Sequence, residues 1–415
     1  VTSSMSDYFD ELETRSKEER ERFFIDALRM QLVHARECSP LFLQTLAPHD
    51  CEGFSSLGEL SSYPVLRKSA LVEMQKRTPP LGGVSPLEPD KIRYVHASPG
   101  PIYEACSARE DFWRLARALY AAGFRKGDLV HNSFSYHLTP AGVMLDSGCH
   151  ALGCAVIPAG TGQTELQLQT INDLRPDGYV GTPSFLKIII EKSMESGLDV
   201  SCIGKGLVSG EALPPPLREQ FKENGIDVLQ AYATADLGVI AYETVADTGL
   251  ILDEGVYVEI VRPGSGDPVP SGEVGEVVVT SFNPDYPLIR FATGDMSAFL
   301  DGQSPCGRTN RRIKGWLGRA DQAAKVRGMF IHPEQVNRVV DRHSEIQKAR
   351  LVVEWIDQQD HVTLQCEASN HAEGLEEAVA DSIREFCRVR GSVKLVEPGS
   401  IPNDGIVIED SRKYE

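Results

Sequence analysis

The sequence predicts an α/β fold: a large N-terminal domain with parallel or mixed sheets and a small β-barrel-like subdomain, then a small C-terminal α+β domain. Three observations predict it. Between residues 90 and 240, short apolar runs alternate with helix-length segments, the rhythm of a parallel sheet covered by helices. Between 250 and 300 that rhythm gives way to β-type runs cut by Gly and Pro. The chain has 415 residues, too many for one core, so two domains are expected. They are placed at 1–317, with a helical start over 1–80, and at 318–415.

The elements follow in order. Residues 8–37 set Phe9, Leu12, Phe23, Phe24, Leu28 and Leu32 on a charged background, an amphipathic helical pattern. A turn near Gly53 to Ser56 and a helix around Ser69 to Lys76 come next. IRYVHAS reads as a strand, and SAREDFWRLARALYAAGF as a helix capped by Ser107 and ended by Gly123. The strands DLVHNSF, CAVIPA, GYVGT, GKGLVSG and DVLQAYAT then alternate with the helices PAGVMLDSGCHALG, TELQLQTINDL, FLKIIIEKSMESG and PPPLREQFKENG. Sheets of this kind bind ligands beyond the carboxyl ends of their strands, so the polar segments there are read for chemistry. VYVEIV, GEVGEVVVTSF and PLIRFATGDM supply the β-rich part. The basic, Gly-punctuated segment over 304–322 is expected to link the domains. MFIHPEQVNRVVDRH, ARLVVEWI, HVTLQCEA and AVADSIREFCRV make the final α+β module.

Composition excludes several classes. A net charge of −18 leaves no basic field to displace phosphate counterions, so no nucleic-acid partner is expected. Anionic small substrates would need locally placed donors. The first residues lack the apolar core of a signal peptide, and no apolar run reaches the length of a membrane span. The nine cysteines are scattered without a C-x-x-C pair. That pattern predicts free thiols in a reducing, cytoplasmic setting and no zinc knuckle.

Several segments carry chemistry together. In order they are VIPAGTGQTELQLQ, GTPSFLKIII, VSGEALPP, AYATADLG, GEVGEVVVT, PLIRFATGD, CGRTNRRIKGWLGRADQ, IHPEQV and GSIPNDG. Their identity and order resemble the phenylacetate-CoA ligase family of the adenylate-forming superfamily, over nearly the whole chain and as a divergent member. The resemblance implies an AMP-forming acyl-CoA ligase. In such an enzyme a carboxylate attacks the α-phosphate of Mg-ATP, and CoA then displaces AMP from the acyl-adenylate. ATP/AMP, Mg²⁺ and CoA are the implied cofactors and substrates, and the C-terminal domain is implied to be mobile. Homodimerisation is left open.

The resemblance also assigns residues. Asp295 would take both ribose hydroxyls, as a bidentate acceptor can, and Arg319 would also contact the ribose. Asp321 holds the hinge position. Ser209, Gly210, Glu211 and Ala212 would lie along the adenine, with Ala231 and Tyr232 beside them. Tyr232 and Asp236 are the catalytic candidates. Asp236 stands where the family has a Mg²⁺-binding Glu; its shorter carboxylate is still a hard oxygen ligand. The phosphate loop falls at HASPGPIYEA, with Ser98, Gly100, Tyr103 and Glu104 as candidates. Prolines there lack N–H donors, no lysine is present, and the N–H groups of Ile102, Tyr103 and Glu104 are expected to remain. The family's catalytic lysine is replaced by Ile406, which cannot supply charge at the reacting centre. Some relatives bind structural zinc through cysteines and a histidine; only Cys306 is kept here, so no zinc is expected.

The acyl pocket is expected near HNSFSYHLTPAG and IPAGTGQT, with Tyr136, His137, Pro140, Ala159, Gly160 and Gln163 as wall and mouth. An aromatic wall over a small-residue floor suits a flat aromatic acid. The alternative to a working ligase is a catalytically impaired pseudoenzyme that binds adenylate or acyl-CoA on the same fold. A transferase that accepts a preformed adenylate is a third reading.

Overall fold

Ser16 opens the first long helix, Lys17–Cys38, with a capping box: its side chain accepts from the Glu19 N–H, and the Glu19 carboxylate accepts from the Ser16 N–H. Phe24, Leu28, Leu32 and Ala35 form the buried stripe of this helix, as a 3.6-residue period requires. The computed structural model describes residues 8–98, 101–211, 213–245, 248–317, 319–320, 324–326, 329–331, 333–356, 359–369, 374–402 and 406–412. The chain divides into two compact units, Val1–Leu317 and Gly318–Glu415.

The first unit is built on a large mixed sheet. Among the described residues its strand order is Phe299–Leu300, Arg312–Ile313, Leu250–Leu252, Gly238–Tyr242, Asp227–Thr234, Lys205–Val208, Gly178–Gly181, Leu129–Asn132 and Ala155–Pro158. The last five run parallel, as the strand–helix alternation predicts. From Gly238–Tyr242 outward the pairing is antiparallel. The reversal needs a tight turn over 235–237, and Gly238 adopts φ +74° there; a Cβ would meet the Trp113 carbonyl at 2.5 Å.

The Gly/Pro-rich region forms a small antiparallel sheet, as its runs and turns predict. It does not close into a barrel. Val256–Val261, Gly275–Ser281 and Phe291–Ser297 form an open antiparallel sheet, and Leu66–Arg67 joins its edge in parallel. Arg290 locks this sheet to the N-terminal region. Its buried guanidinium forks onto Glu259 at 3.0 and 3.0 Å and donates to the carbonyls of Tyr63 at 2.6 Å and Gly266 at 2.8 Å. Removing one partner of such a pair strands the other charge in the interior. Arg290→Met is expected to lower stability by about 3 kcal/mol, read from the denaturant midpoint at unchanged slope.

Two further readings are corrected. The helix expected from Ser107 begins only at Leu115, because Arg114 is left-handed at φ 63° and breaks the run. Ser107 instead donates to Asp285 at 2.7 Å, and the Asp111 carboxylate receives the Ala116 N–H. The basic stretch from 304 to 317 is part of the first unit. Arg308 is buried on Glu13 at 3.0 Å, and Arg312 is buried on the carbonyls of Thr248 and Asp301. The segment was expected to link the domains, but both of these arginines have fixed acceptors inside the first unit.

In the second unit, Ser392–Val396, Gln359–Ala368, Ile346–Ile356 and Ile408–Asp410 form a mixed sheet in that order. Helices Pro333–Arg342 and Leu375–Phe386 bury Val336, Val339, Val379 and Ile383 in the same core as Leu351, Val353, Leu364 and Cys366 of the sheet. No helix among the described residues is long and apolar enough to cross a membrane.

Candidate active site

Three parallel strands end around one cavity of about 140 Å³. Leu129–Asn132 leads to Phe134, Thr139 and Pro140; Lys205–Val208 leads to Ser209 and Gly210; Asp227–Thr234 ends in Ala233, Thr234 and Ala235. Met144 and Leu145 of helix Ala141–Leu152 close the apolar side. The cavity thus lies at the strand carboxyl ends, where an α/β sheet binds ligands.

Its polar edge is backbone. Ser209 donates to the Ala231 carbonyl at 2.8 Å, tying two strand ends together. Gly210 follows with φ +81°, a conformation that a β-carbon disfavours. Ser209, Gly210 and Ala231, expected along the adenine, all line this cavity. Glu211 points elsewhere: its carboxylate receives the Ser184 N–H at 3.3 Å, in the first turn of helix Pro183–Ser196.

Asp236 sits in the turn directly after Ala235, its side chain 1% exposed. Lys68, the first residue of helix Lys68–Arg77, places its ammonium 2.8 Å from Asp236 Oδ2. Sequence reasoning missed this cation. Glu104 reaches the same place from the hairpin Tyr94–Ser98/Ile102–Cys106, and Ser98 donates to its Oε1. Burial, and then the Asp236 charge, pushes the Glu104 carboxyl up to about 8. Glu104 Oε2 and Asp236 Oδ1 are buried and receive no hydrogen bond from any other side chain or N–H among the described residues, and the two carboxyls lie within hydrogen-bonding reach of each other. The hydroxyl of Tyr286, also in this electrostatic cluster, is buried without a hydrogen-bond partner among the described residues.

The hairpin uses its own donors. The Tyr103 N–H is taken by Gln75 Oε1 at 2.8 Å. Antiparallel alternation then directs the N–H groups of Ile102 and Glu104 into the ladder with Ser98 and His96. The expected spare N–H groups are therefore committed, two to the hairpin ladder and that of Tyr103 to Gln75, and Lys68 is the cation paired with the acidic cluster. Gly100 and Ala212 lie outside the described residues, as does Asp321.

Asp295 is held by neighbours on two sides. Tyr232 donates to its Oδ2 at 2.9 Å, and Trp316 Nε1 donates to its Oδ1 at 3.1 Å. Tyr232 also reaches Thr293 Oγ1 at 3.2 Å, so one phenol links the large sheet to the strand Phe291–Ser297.

Of the expected acyl-pocket residues, Pro140 lines the cavity and the other five do not. Tyr136 turns away: its hydroxyl donates to Asp146 at 2.7 Å, and its ring packs so closely on Gly142 that a Cβ there would come within 2.7 Å. His137 and Gln163 are exposed, Ala159 and Gly160 are half-buried, and a Cβ on Gly160 would meet the Tyr136 ring at 3.8 Å. The apolar wall is instead Phe134, Ala141, Met144, Leu145 and Leu115.

Arg319 and Ile406 belong to the second unit, and both are exposed, Ile406 at 36%. The Ile406 carbonyl accepts from Arg350 Nε at 3.2 Å. No group of three or more His, Cys, Asp or Glu side chains able to hold a metal occurs among the described residues. A cation at Asp236 would therefore have few protein ligands and would depend on nucleotide phosphates, the usual manner for Mg²⁺.

Residues 152–283 match the model for AMP-binding enzymes, and residues 328–407 match that for the AMP-binding enzyme C-terminal domain. A phenylacetate-coenzyme A ligase of Pseudomonas putida is 31% identical over 350 residues, covering 80% of this chain and 77% of the relative. One from Thermus thermophilus is 28% identical, covering 95% of this chain and 96% of the relative. Among solved structures, a 2-hydroxyisobutyryl-CoA ligase in complex with 2-HIB-AMP and CoA matches with TM-score 0.74 at 24% identity. That match covers 100% of this chain and 94% of the other, and it shows a shared fold. Sequence identity over most of both chains, with the two family domains in order, places this chain in the phenylacetate-CoA ligase family of AMP-binding enzymes.

Proposed function

We propose that the protein is an AMP-forming acyl-CoA ligase that activates an aryl carboxylic acid and passes it to CoA. One observation carries the reading: Ser209, Gly210 and Ala231 line one cavity of about 140 Å³ together with the apolar Phe134, Met144 and Leu145, and Asp236, paired to Lys68, follows directly on its lining residue Ala235. An engineered protein cavity of about 150 Å³ takes up benzene, so this volume suits a single ring. The relatives' names support CoA as acceptor. They do not favour a chain that only binds adenylate.

The residues divide the work. Ser209, Gly210 and Ala231 line the adenine side, and Asp295, oriented by Tyr232 and Trp316, takes the ribose hydroxyls. Phe134, Pro140, Met144 and Leu145 hold the ring and exclude water from the carboxylate. Lys68 supplies positive charge toward the phosphates, in place of a lysine in the loop. Mg²⁺ fits the orphaned Asp236 Oδ1 and, when bound, would neutralise phosphate charge. The unit 1–317 carries these groups as the AMP-binding domain. In the unit 318–415, Arg319 adds a ribose contact and Asp321 serves as hinge.

The test is pyrophosphate release from Mg-ATP with CoA and a panel of aryl and aliphatic acids. Release with aryl acids is expected. No release with any acid, while AMP or acyl-CoA still binds, would overturn the reading. Within the pocket, Met144→Ala is expected to lower kcat/KM for the best single-ring acid about tenfold and to favour bulkier acids, since each lost methylene contact is worth about 1–3 kcal/mol. Equal kcat/KM values across the panel would show that the ring lies elsewhere.

A further inference from the structure

The phosphate-side cluster contains one group that the ligase reading leaves unused. Glu104 is a carboxylic side chain, 5% exposed, on the second strand of the loop hairpin, facing Asp236 from a different part of the fold. Burying a carboxyl with an unsatisfied oxygen is costly, and such a group needs a compensating partner. Ser98 fixes Oε1, which leaves Oε2 as the oxygen without a donor. Across from it, Lys68 fixes Asp236 Oδ2 and leaves Oδ1 without a donor. Each carboxyl is thus oriented by a neighbour on one oxygen and unsatisfied on the other, the way outer groups orient metal ligands.

We propose that Glu104 is a second carboxylate ligand of the divalent cation that accompanies the nucleotide, shared with Asp236. The inference rests on the ligase reading and deepens it. Mg²⁺ is commonly bound by one or two carboxylates plus phosphate oxygens, and two orphaned oxygens in one buried cluster meet that need. Lys68 holds Asp236 Oδ2, so Oδ1 is the Asp236 oxygen turned toward Glu104 and left for a cation. The charges facing the site are Glu104, Asp236 and Lys68, with the Tyr286 hydroxyl as a neutral neighbour. If Glu104 and Asp236 merely share a proton, Gln at position 104 reproduces the neutral acid and changes nothing at the cation.

The test uses Mn²⁺ as probe. Free Mn²⁺ is counted by electron paramagnetic resonance with the full-length protein, with and without ATP, in the wild type and in Glu104→Gln. Mn²⁺ affinity in the presence of ATP is expected to fall at least about tenfold in the variant, the scale on which metal-site changes act. Metal-free ATP affinity is expected not to fall, because the substitution removes an acidic group facing the phosphates. Equal Mn²⁺ affinity in the two proteins overturns the role of Glu104 and leaves the ligase reading standing. A wild type that binds neither ATP nor Mn-ATP overturns both. A second measurement needs no variant: Fe²⁺ with ascorbate and peroxide cuts backbone close to a bound cation. Cuts in both the 102–106 strand and the 234–238 turn are expected; cuts at the turn alone overturn the proposal.

Discussion

Asp236→Ala lowers acid-dependent pyrophosphate release by about 10³-fold, the scale seen when a preorganised electrostatic group is removed from a reacting centre. The fold should tolerate the change. Lys68, the ion-pair partner, is 32% exposed, so the released ammonium is hydrated and the lost pair costs about 1 kcal/mol. Glu104 loses a like-charged neighbour and with it one cause of its raised pKa. The variant therefore separates chemistry from stability: its melting point changes little while its turnover collapses. Added Mg²⁺ should not rescue the rate, because the orphaned Oδ1 leaves with the side chain. If Asp236→Ala keeps more than about a tenth of the wild-type rate, Asp236 is a turn residue and the phosphate chemistry lies elsewhere.

The sheet was legible because its signal is local. Each parallel strand is a short apolar run followed by a helix pattern, and TELQLQTINDL and DVLQAYAT fold as helix and strand over their whole quoted lengths. Ser209 and Gly210 were legible as cavity-lining residues for the same reason, since they follow directly on the strand Lys205–Val208. Lys68 was not. It meets Asp236 across 168 residues of chain, and nothing near position 68 marks a cation destined for that carboxylate. Glu104 was named for its N–H group, yet it is the side chain that points inward; strand alternation decides this only once the hairpin register is known. The loop residues expected at the acyl pocket show the same limit. The sequence identified the loop after Leu129–Asn132 but not which of its residues face the cavity: Phe134 and Pro140 do, while Tyr136 turns to Asp146. Long-range pairing also explains the misread basic segment, whose Arg308 is matched by Glu13 from the other end of the chain.

Ile406→Lys raises acid-dependent pyrophosphate release by about 10²-fold, because a cation at that position stabilises charge developing on the carboxylate and α-phosphate. The surroundings favour the substitution. Ile406 is already 36% exposed, so a lysine there keeps its hydration and incurs little desolvation cost. The Arg350 contact is to the main-chain carbonyl, which any residue supplies. The cations closest to this segment hold it in place: Lys348 donates to the carbonyls of Ile401 and Pro402, and Arg350 also bridges Glu409. Neither is placed as a ready substitute. Ile406→Met is the control, since it alters shape without charge and should leave the rate within about twofold. Thioester formation from a synthetic acyl-adenylate should likewise change little in the lysine variant, because the α-phosphate bond to pyrophosphate is already broken in that substrate. A rise confined to the adenylating step assigns the missing charge to position 406. An unchanged rate means that Lys68, already beside Asp236, supplies the cation and that the second unit contributes none at this position.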